Sequence, residues 1–344
     1  TVSRLFKNWI IKLDKNKFEK KIIYIGNKID TVTKELIRHS QSFIIEENIN
    51  LLIELIKNEN FDVIIYLDIG MNPKIQILAS LRFARFQFVT WGHPVTSGLK
   101  EIDYFLSSEH METVNSKKYY TEKLICIPGI GIDFDPDIKK ISSPKLKKND
   151  ENVIYLNHQS LFKMLPKDDH IYLDIIKNNS NCKFWFINGS NGLVTEAFKN
   201  RLKNLFLKNN LEFEKYIYFF EKCLREEFLG IINQSDIILD SIDWSGGNSN
   251  LEAISLNKPI VTLPSNSLRG RHTYAMLKIM NINETIAQSK KNYVDIAVKL
   301  AKDVSFRQKI INLIKSNKNK ILFDKTSVNF VDDFLSKNLI VNKN

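Results

Sequence analysis

Short apolar runs alternate with helical patterns along nearly the whole chain, and this alternation constrains the fold more than any other feature. Runs at 21–25, 42–46, 62–68 and 87–91 read as strands, with helical spacing at 33–39, 48–58 and 73–83 between them. Beyond a break the pattern resumes, with strands at 152–156, 183–187, 216–220, 236–240 and 259–263. Helices fall between these at 168–178, 194–207, 226–233 and 249–256, and three more follow at 293–303, 306–317 and 327–337. Strands separated by helices form parallel sheets whose crossover helices cover both faces. The break, 137–151, is rich in Ser, Pro and charge and reads as a linker. The expectation is therefore two doubly wound α/β domains: 1–141, a linker at 142–151, then 152–325, with a terminal helix and tail at 326–344. Ligands of such sheets bind beyond the carboxyl ends of the strands, and a cleft between two of them is the natural site.

Composition narrows the class. The 344 residues are 43% hydrophobic and 26% charged, enough for two packed cores and far from the profile of a disordered chain. No run approaches the length of a membrane-spanning helix, and no secretory leader pattern opens the chain. The chain also opens without Met and reads as a piece of a longer protein. Cys126, Cys182 and Cys223 stand far apart without metal-ligand spacing, which fits a reducing, cytoplasmic setting. The net charge of +11 comes mostly from Lys scattered among Asn and Ile. Clusters such as Lys145, Lys147, Lys148 and Lys315, Lys318, Lys320 lie in polar stretches. They read as solvated surface, and no basic–aromatic interleaving suggests a nucleic-acid partner.

Three strand-to-helix junctions carry candidate chemistry. In 236–252, DIILDSIDWSGGNSNLE, a buried-type strand runs into two glycines and then Asn248 and Ser249 at a helix start. Glycines admit close approach of a ligand, and free amides at a helix start attract phosphate. An ordinary glycine loop with a capped helix would look the same. Glu252 lies one turn in, on a face that can reach ribose hydroxyls. In 152–166, NVIYLNHQSLFKMLP, Lys163 follows a strand closely enough to neutralise a diphosphate, or is a surface lysine at a helix start. In 88–98, FVTWGHPVTSG, His93 is either a turn residue or a group for proton transfer or sugar binding. The Asp-x-Asp patterns at 133–137 read as a turn, no zinc spacing or Gly-x-Ser-x-Gly elbow occurs, and the glycine loop lacks the Lys-Ser/Thr of a Walker motif.

Taken in order, LRFARFQFVTWGHPVTSG (81–98), IDYFLSSEHMETVNSKKYYTEKLICIPG (102–129), NHQSLFKMLP (157–166) and DIILDSIDWSGGNSNLEAISLNKPIVTLPSNSLRGRHTYAML (236–277) resemble glycosyltransferase family 41. This is the catalytic region of protein O-GlcNAc transferases and their bacterial relatives. The resemblance implies a GT-B-like α/β fold, two Rossmann-like domains facing across a cleft. It implies inverting transfer of GlcNAc or a related hexose from a UDP-sugar substrate to a protein Ser/Thr, with no metal and no other cofactor. The expected partners are the UDP-sugar and a protein acceptor, with neither nucleic acid nor a membrane span. Rival expectations are UDP-glucose-dependent transfer to Asn or to a glycan, and a non-catalytic UDP-sugar-binding module. Carried over by position, Lys163 and His93 are the catalytic candidates. Gln159, Ser160, Gly247, Asn248, Ser249 and Glu252 are the donor contacts, with Phe228 where a uracil contact stands. Gly92, Pro94 and Thr96 belong to the sugar-side loop, and Arg82 lies near that loop. The resemblance also implies that the family's first strand, with a loop bearing an Asp and a His, would lie upstream of Thr1. Tetratricopeptide repeats that recruit acceptors in many members have no counterpart in these 344 residues.

Overall fold

A computed structural model describes residues 2–337 except 28, 145 and 147–150. Its contacts divide the chain into two units, Thr1–Asp135 with Ile321–Asn344, and Pro136–Lys320. The division at 135/136 precedes the linker expected at 142–151, and half of that stretch, with Lys145, Lys147 and Lys148, lies outside the described residues.

The first unit opens with α1 (Val2–Lys12), β1 (Lys21–Tyr24), α2 (Thr31–Arg38), β2 (Ser42–Ile45) and α3 (Ile49–Glu59). It continues with β3 (Val63–Tyr66), α4 (Pro73–Ala79), β4 (Phe86–Thr90), β5 (Tyr104–Ser108) and β6 (Lys123–Ile127). Side-chain caps start its helices: Asp30 accepts from the Thr33 amide, Asn48 from Asn50, and Asn72 from Lys74 with Pro73 in the first turn. The sheet β3-β4-β5-β6 is parallel throughout, as is the pair β1-β2. Among the described residues β1 and β3 share no ladder, and residues of α1, β1 and β3 line a largely apolar cavity of about 330 Å³. The expectation of 73–83 as one helix is shortened, because the chain leaves α4 at Ser80 to enter β4.

The second unit runs β7 (Val153–Asn157), α5 (His170–Asn178), β8 (Cys182–Ile187), α6 (Gly192–Lys208), α7 (Phe213–Tyr216) and β9 (Ile217–Phe220). Then come α8 (Arg225–Gln234), β10 (Ile237–Leu239), α9 (Asn248–Ser255), β11 (Ile260–Val261), α10 (His272–Ile279), α11 (Lys290–Lys302) and α12 (Val304–Asn317). Its five parallel strands lie in the order β11-β10-β7-β8-β9. β7 is flanked by strands reached through crossovers on either side, so the order switches there, and such a switch opens a crevice at the carboxyl ends. The inner faces are aromatic: Tyr155 stacks on Phe184 at 5.3 Å between ring centres, and Trp185 meets Phe220 edge-on at 5.0 Å. The last helix, α13 (Thr326–Leu335), belongs to the first unit, where Phe334 lies edge-on to Phe88 and Tyr104 at 6.2 and 5.9 Å. The expected tail beyond 337 lies outside the described residues.

Candidate functional site

The carboxyl ends of β7 and β10 converge on one buried carboxylate, Asp240. Its Oδ1 accepts from Gln159 Nε2 (2.6 Å), the Gly246 amide (2.8 Å) and Asn250 Nδ2 (2.8 Å). Its Oδ2 accepts from Ser245 Oγ (2.6 Å) and Thr262 Oγ1 (2.7 Å), and its carbonyl from Tyr293 OH (2.9 Å). A buried carboxylate is tolerated only when its lone pairs are met by donors, and here they come from the ends of β7 and β11, the glycine loop and α9. Asp240 therefore fixes the loop 241–247 and the start of α9. The sequence marked it only as an acid ending a strand, because nothing local shows that six groups meet there.

Gln159 is the hinge between this hub and the cation of the site. Its Oε1 accepts from Ser241 Oγ at 2.6 Å and from Lys163 Nζ at 3.3 Å. Both ends of the amide are engaged with protein, so Gln159 positions Lys163 instead of lying open to a ligand. Ser160 is exposed, and its carbonyl accepts from the Lys163 amide at 3.0 Å, closing the short 3-10 turn Leu161–Lys163. Burial lowers the Lys163 pKa to about 8, with Asp240 pulling the other way. Nearby His158 and His272 are fully buried, and burial holds each near pKa 4. Both are therefore neutral at pH 7, and neither adds positive charge beside Lys163.

Gly247 caps α9, and Asn248 and Ser249 are its half-buried first residues. The Asn248 side-chain oxygen is buried without a hydrogen-bond partner. Phe228, half-buried on α8, lies 5.8 Å from the His158 ring at a tilt of 34°. Glu252 is buried and accepts from Arg225 Nε at 2.8 Å, while the other Arg225 nitrogens donate to the carbonyls of Pro136 and Asp137. The structure thus ties the expected ribose acid to an arginine that sequence reading passed over. Arg225 sits at the first position of α8, one turn before Phe228, and only folding brings it to α9.

In the first unit, Gly92, His93, Pro94 and Thr96 follow β4 at its carboxyl end. A Cβ on Gly92 would stand 2.3 Å from the Leu67 carbonyl oxygen, so only glycine fits that crossing. The His93 imidazole packs on Gly70, and burial lowers its pKa from the ordinary value. Thr96 Oγ1 donates to Glu122 Oε2 at 2.7 Å and the Ser97 amide to Glu122 Oε1 at 2.7 Å, which pins the loop. Arg82 is not beside this loop. It precedes β4, at the opposite edge of the sheet, where its guanidinium is forked onto Asp103 (2.6 and 3.1 Å) and also donates to Glu101 (3.1 Å). The expected role of Arg82 as a donor contact is corrected accordingly: one strand length separates the two edges of a parallel sheet.

Among the described residues no group of three or more His, Cys, Asp and Glu side chains is placed to hold a metal ion, and no helix is long and apolar enough to cross a membrane. Parallel α/β units with a desolvated lysine and a glycine-led helix start at the carboxyl edge define a GT-B-like α/β fold. The fold is matched by a point mutant of the Thermobaculum terrenum O-GlcNAc transferase, with a TM-score of 0.82 at 18% identity, over 95% of this chain and 62% of that one. Anabaena HepE, in complex with UDP and glucose, matches with a TM-score of 0.62 at 11% identity, over 92% of this chain and 100% of that one. The profile of Glycosyl transferase family 41 matches residues 131–329, and the chain belongs to that family. A probable UDP-N-acetylglucosamine–peptide N-acetylglucosaminyltransferase SPINDLY of Petunia hybrida is 22% identical over 300 residues, 86% of this chain and 31% of that protein. The Caenorhabditis elegans UDP-N-acetylglucosamine–peptide N-acetylglucosaminyltransferase is 22% identical over 154 residues, 45% of this chain and 13% of that protein. The chain thus spans about a third or less of the length of these curated relatives.

Proposed function

We propose that this chain is the donor-binding and transfer region of a glycosyltransferase that moves GlcNAc or a related hexose from a UDP-sugar to a protein side chain, without a metal. The observation that carries the reading is Lys163, a desolvated amine held by Gln159 and Asp240 at the edge where α9 begins. When the glycosidic bond to UDP breaks, negative charge develops on the diphosphate. Lys163 and the open amides of α9 supply fixed positive potential there, in a position that metals fill in other transferases. The acceptor hydroxyl then attacks the anomeric carbon from the face opposite the leaving UDP, with inversion, its proton passing to a base or to water. Alignment of the two reactants contributes more to this step than a strong base does. Asn248, Ser249 and Gly247 lie where the phosphates would be met, Phe228 where a base can stack, and Glu252 reaches ribose only through its pairing with Arg225. His93, neutral through burial, is proposed for the sugar side. Its lowered pKa suits a hydrogen-bonding imidazole at pH 7.

The test is calorimetric titration of UDP into the wild-type chain and Lys163→Ala, each with and without EDTA. Binding that survives EDTA and falls at least tenfold in Lys163→Ala is expected. In a transfer assay with UDP-GlcNAc and a peptide acceptor, the variant should lose about 10²–10³ in rate. Equal UDP affinity in a folded Lys163→Ala would remove the diphosphate role, and binding abolished by EDTA would remove the metal-free reading.

A further inference from the structure

Beside Lys163 stands a second cation, Arg269, inside the stretch 236–277 but outside the residues to which the resemblance gives a role. The Lys163 ammonium lies 5.6 Å from the centre of the Trp244 indole, and the Arg269 guanidinium lies 5.6 Å from the same ring. The exposed ring of Phe162 meets that indole edge-on, at 5.6 Å and 80°. The two cations are therefore separated by no more than twice one cation–ring distance. Neither is ion-paired to a carboxylate among the described residues: Asp240 is saturated by its neutral donors, and Asp243 is paired with Lys167. Two like charges held against one indole repel each other, and cation–π attraction at a partly exposed ring, about 0.5–2 kcal/mol, only partly offsets that. An anion that meets both removes the conflict.

The backbone under Arg269 is built to hold it there. The Ser245 amide donates to the Arg269 carbonyl at 2.8 Å, which ties Arg269 to the glycine loop. Its neighbours Leu268 and Gly270 are buried, and the Ser265 amide closes the turn onto the Gly270 carbonyl at 3.3 Å. A Cβ at position 270 would stand 2.1 Å from Ser265 Oγ, so the turn also depends on glycine. The side chain itself is exposed.

We infer that Arg269 is the second cationic ligand of the donor diphosphate, working with Lys163 beside Trp244 to neutralise the leaving UDP. This rests on the donor site proposed above. A guanidinium presents a planar fork to two phosphate oxygens, which a lysine at the same place does not.

The experiment is titration of UDP and of uridine into wild type, Arg269→Gln and Arg269→Lys, with thermal melting of each. The expected result is a loss of about 10- to 100-fold in UDP affinity for Arg269→Gln. Uridine affinity should be unchanged in Arg269→Gln, the UDP affinity of Arg269→Lys should fall between, and the melting temperatures should match. UDP affinity within twofold of wild type in Arg269→Gln overturns the assignment while leaving the donor site standing. So does an equal loss for UDP and uridine, which would place the arginine away from the phosphates. If wild type binds neither UDP nor uridine, the donor site and this inference fall together.

Discussion

Lys163 shows how one residue draws its chemistry from others distant in sequence. Its amine meets Gln159 four residues earlier, Gln159 meets Asp240 eighty-one residues later, and Asp240 is held by Ser245, Gly246, Asn250 and Thr262. Burial lowers its pKa to about 8, so the free protein loses this charge as pH rises through about 8. The UDP diphosphate is already ionised at pH 7 and the uracil N–H is still held at pH 8.5, so affinity is expected to fall between pH 7 and 8.5. In Lys163→Arg, which stays charged, calorimetry over the same range should show a flat profile. A wild-type profile that is equally flat would place the amine away from the phosphates. Lys163, Asn248 and Ser249 were legible as candidates because each follows a strand within ten residues. Asp240, Arg225 and Arg269 were not, since each takes its meaning from a partner on another element.

At the scale of the element, the loop between β10 and α9 is the working part of the second unit. A Cβ on Gly246 would lie 2.6 Å from Asn250 Cγ and 2.7 Å from Gln159 Nε2, both on buried residues bonded to Asp240. Gly246→Ala is therefore expected to destabilise the protein by about 1–3 kcal/mol, since the overpacked groups are buried and cannot swing away. It should also weaken UDP binding, because Gln159 must move from Lys163. Urea unfolding and UDP titration check both. Unchanged stability would mean that the loop shifts freely and Asp240 does not pin it. Most strands of the second unit were readable from unbroken apolar runs. β5 and β6 were not read as strands, α1 and α10 were not read as helices, and each is short or carries polar residues inside an apolar pattern.

At the scale of the whole molecule, acid should act on the second unit through His158 and His272. Both are fully buried with pKa near 4, against an ordinary value of 6.5 in the unfolded chain. Between those values the unfolded chain binds protons that the folded one refuses, so stability falls as pH drops from about 6.5 to about 4, by up to roughly 3 kcal/mol for each histidine. The urea midpoint is expected to drop across this window, and His272→Gln should reduce the drop. A midpoint constant from pH 7 to 4 would show that neither imidazole is buried neutral. The alternation of apolar runs and helical spacing by itself determined two parallel α/β units, because each short strand buried on both faces must be covered by its own crossover helix. The order of the motifs placed the chain in its family. Tertiary structure alone decided that α13 returns to the first unit, that Arg82 lies at the far edge of its sheet, and that one buried carboxylate gathers the donor loop. Those outcomes depend on which strand ends become neighbours, and periodicity along a chain carries no record of that.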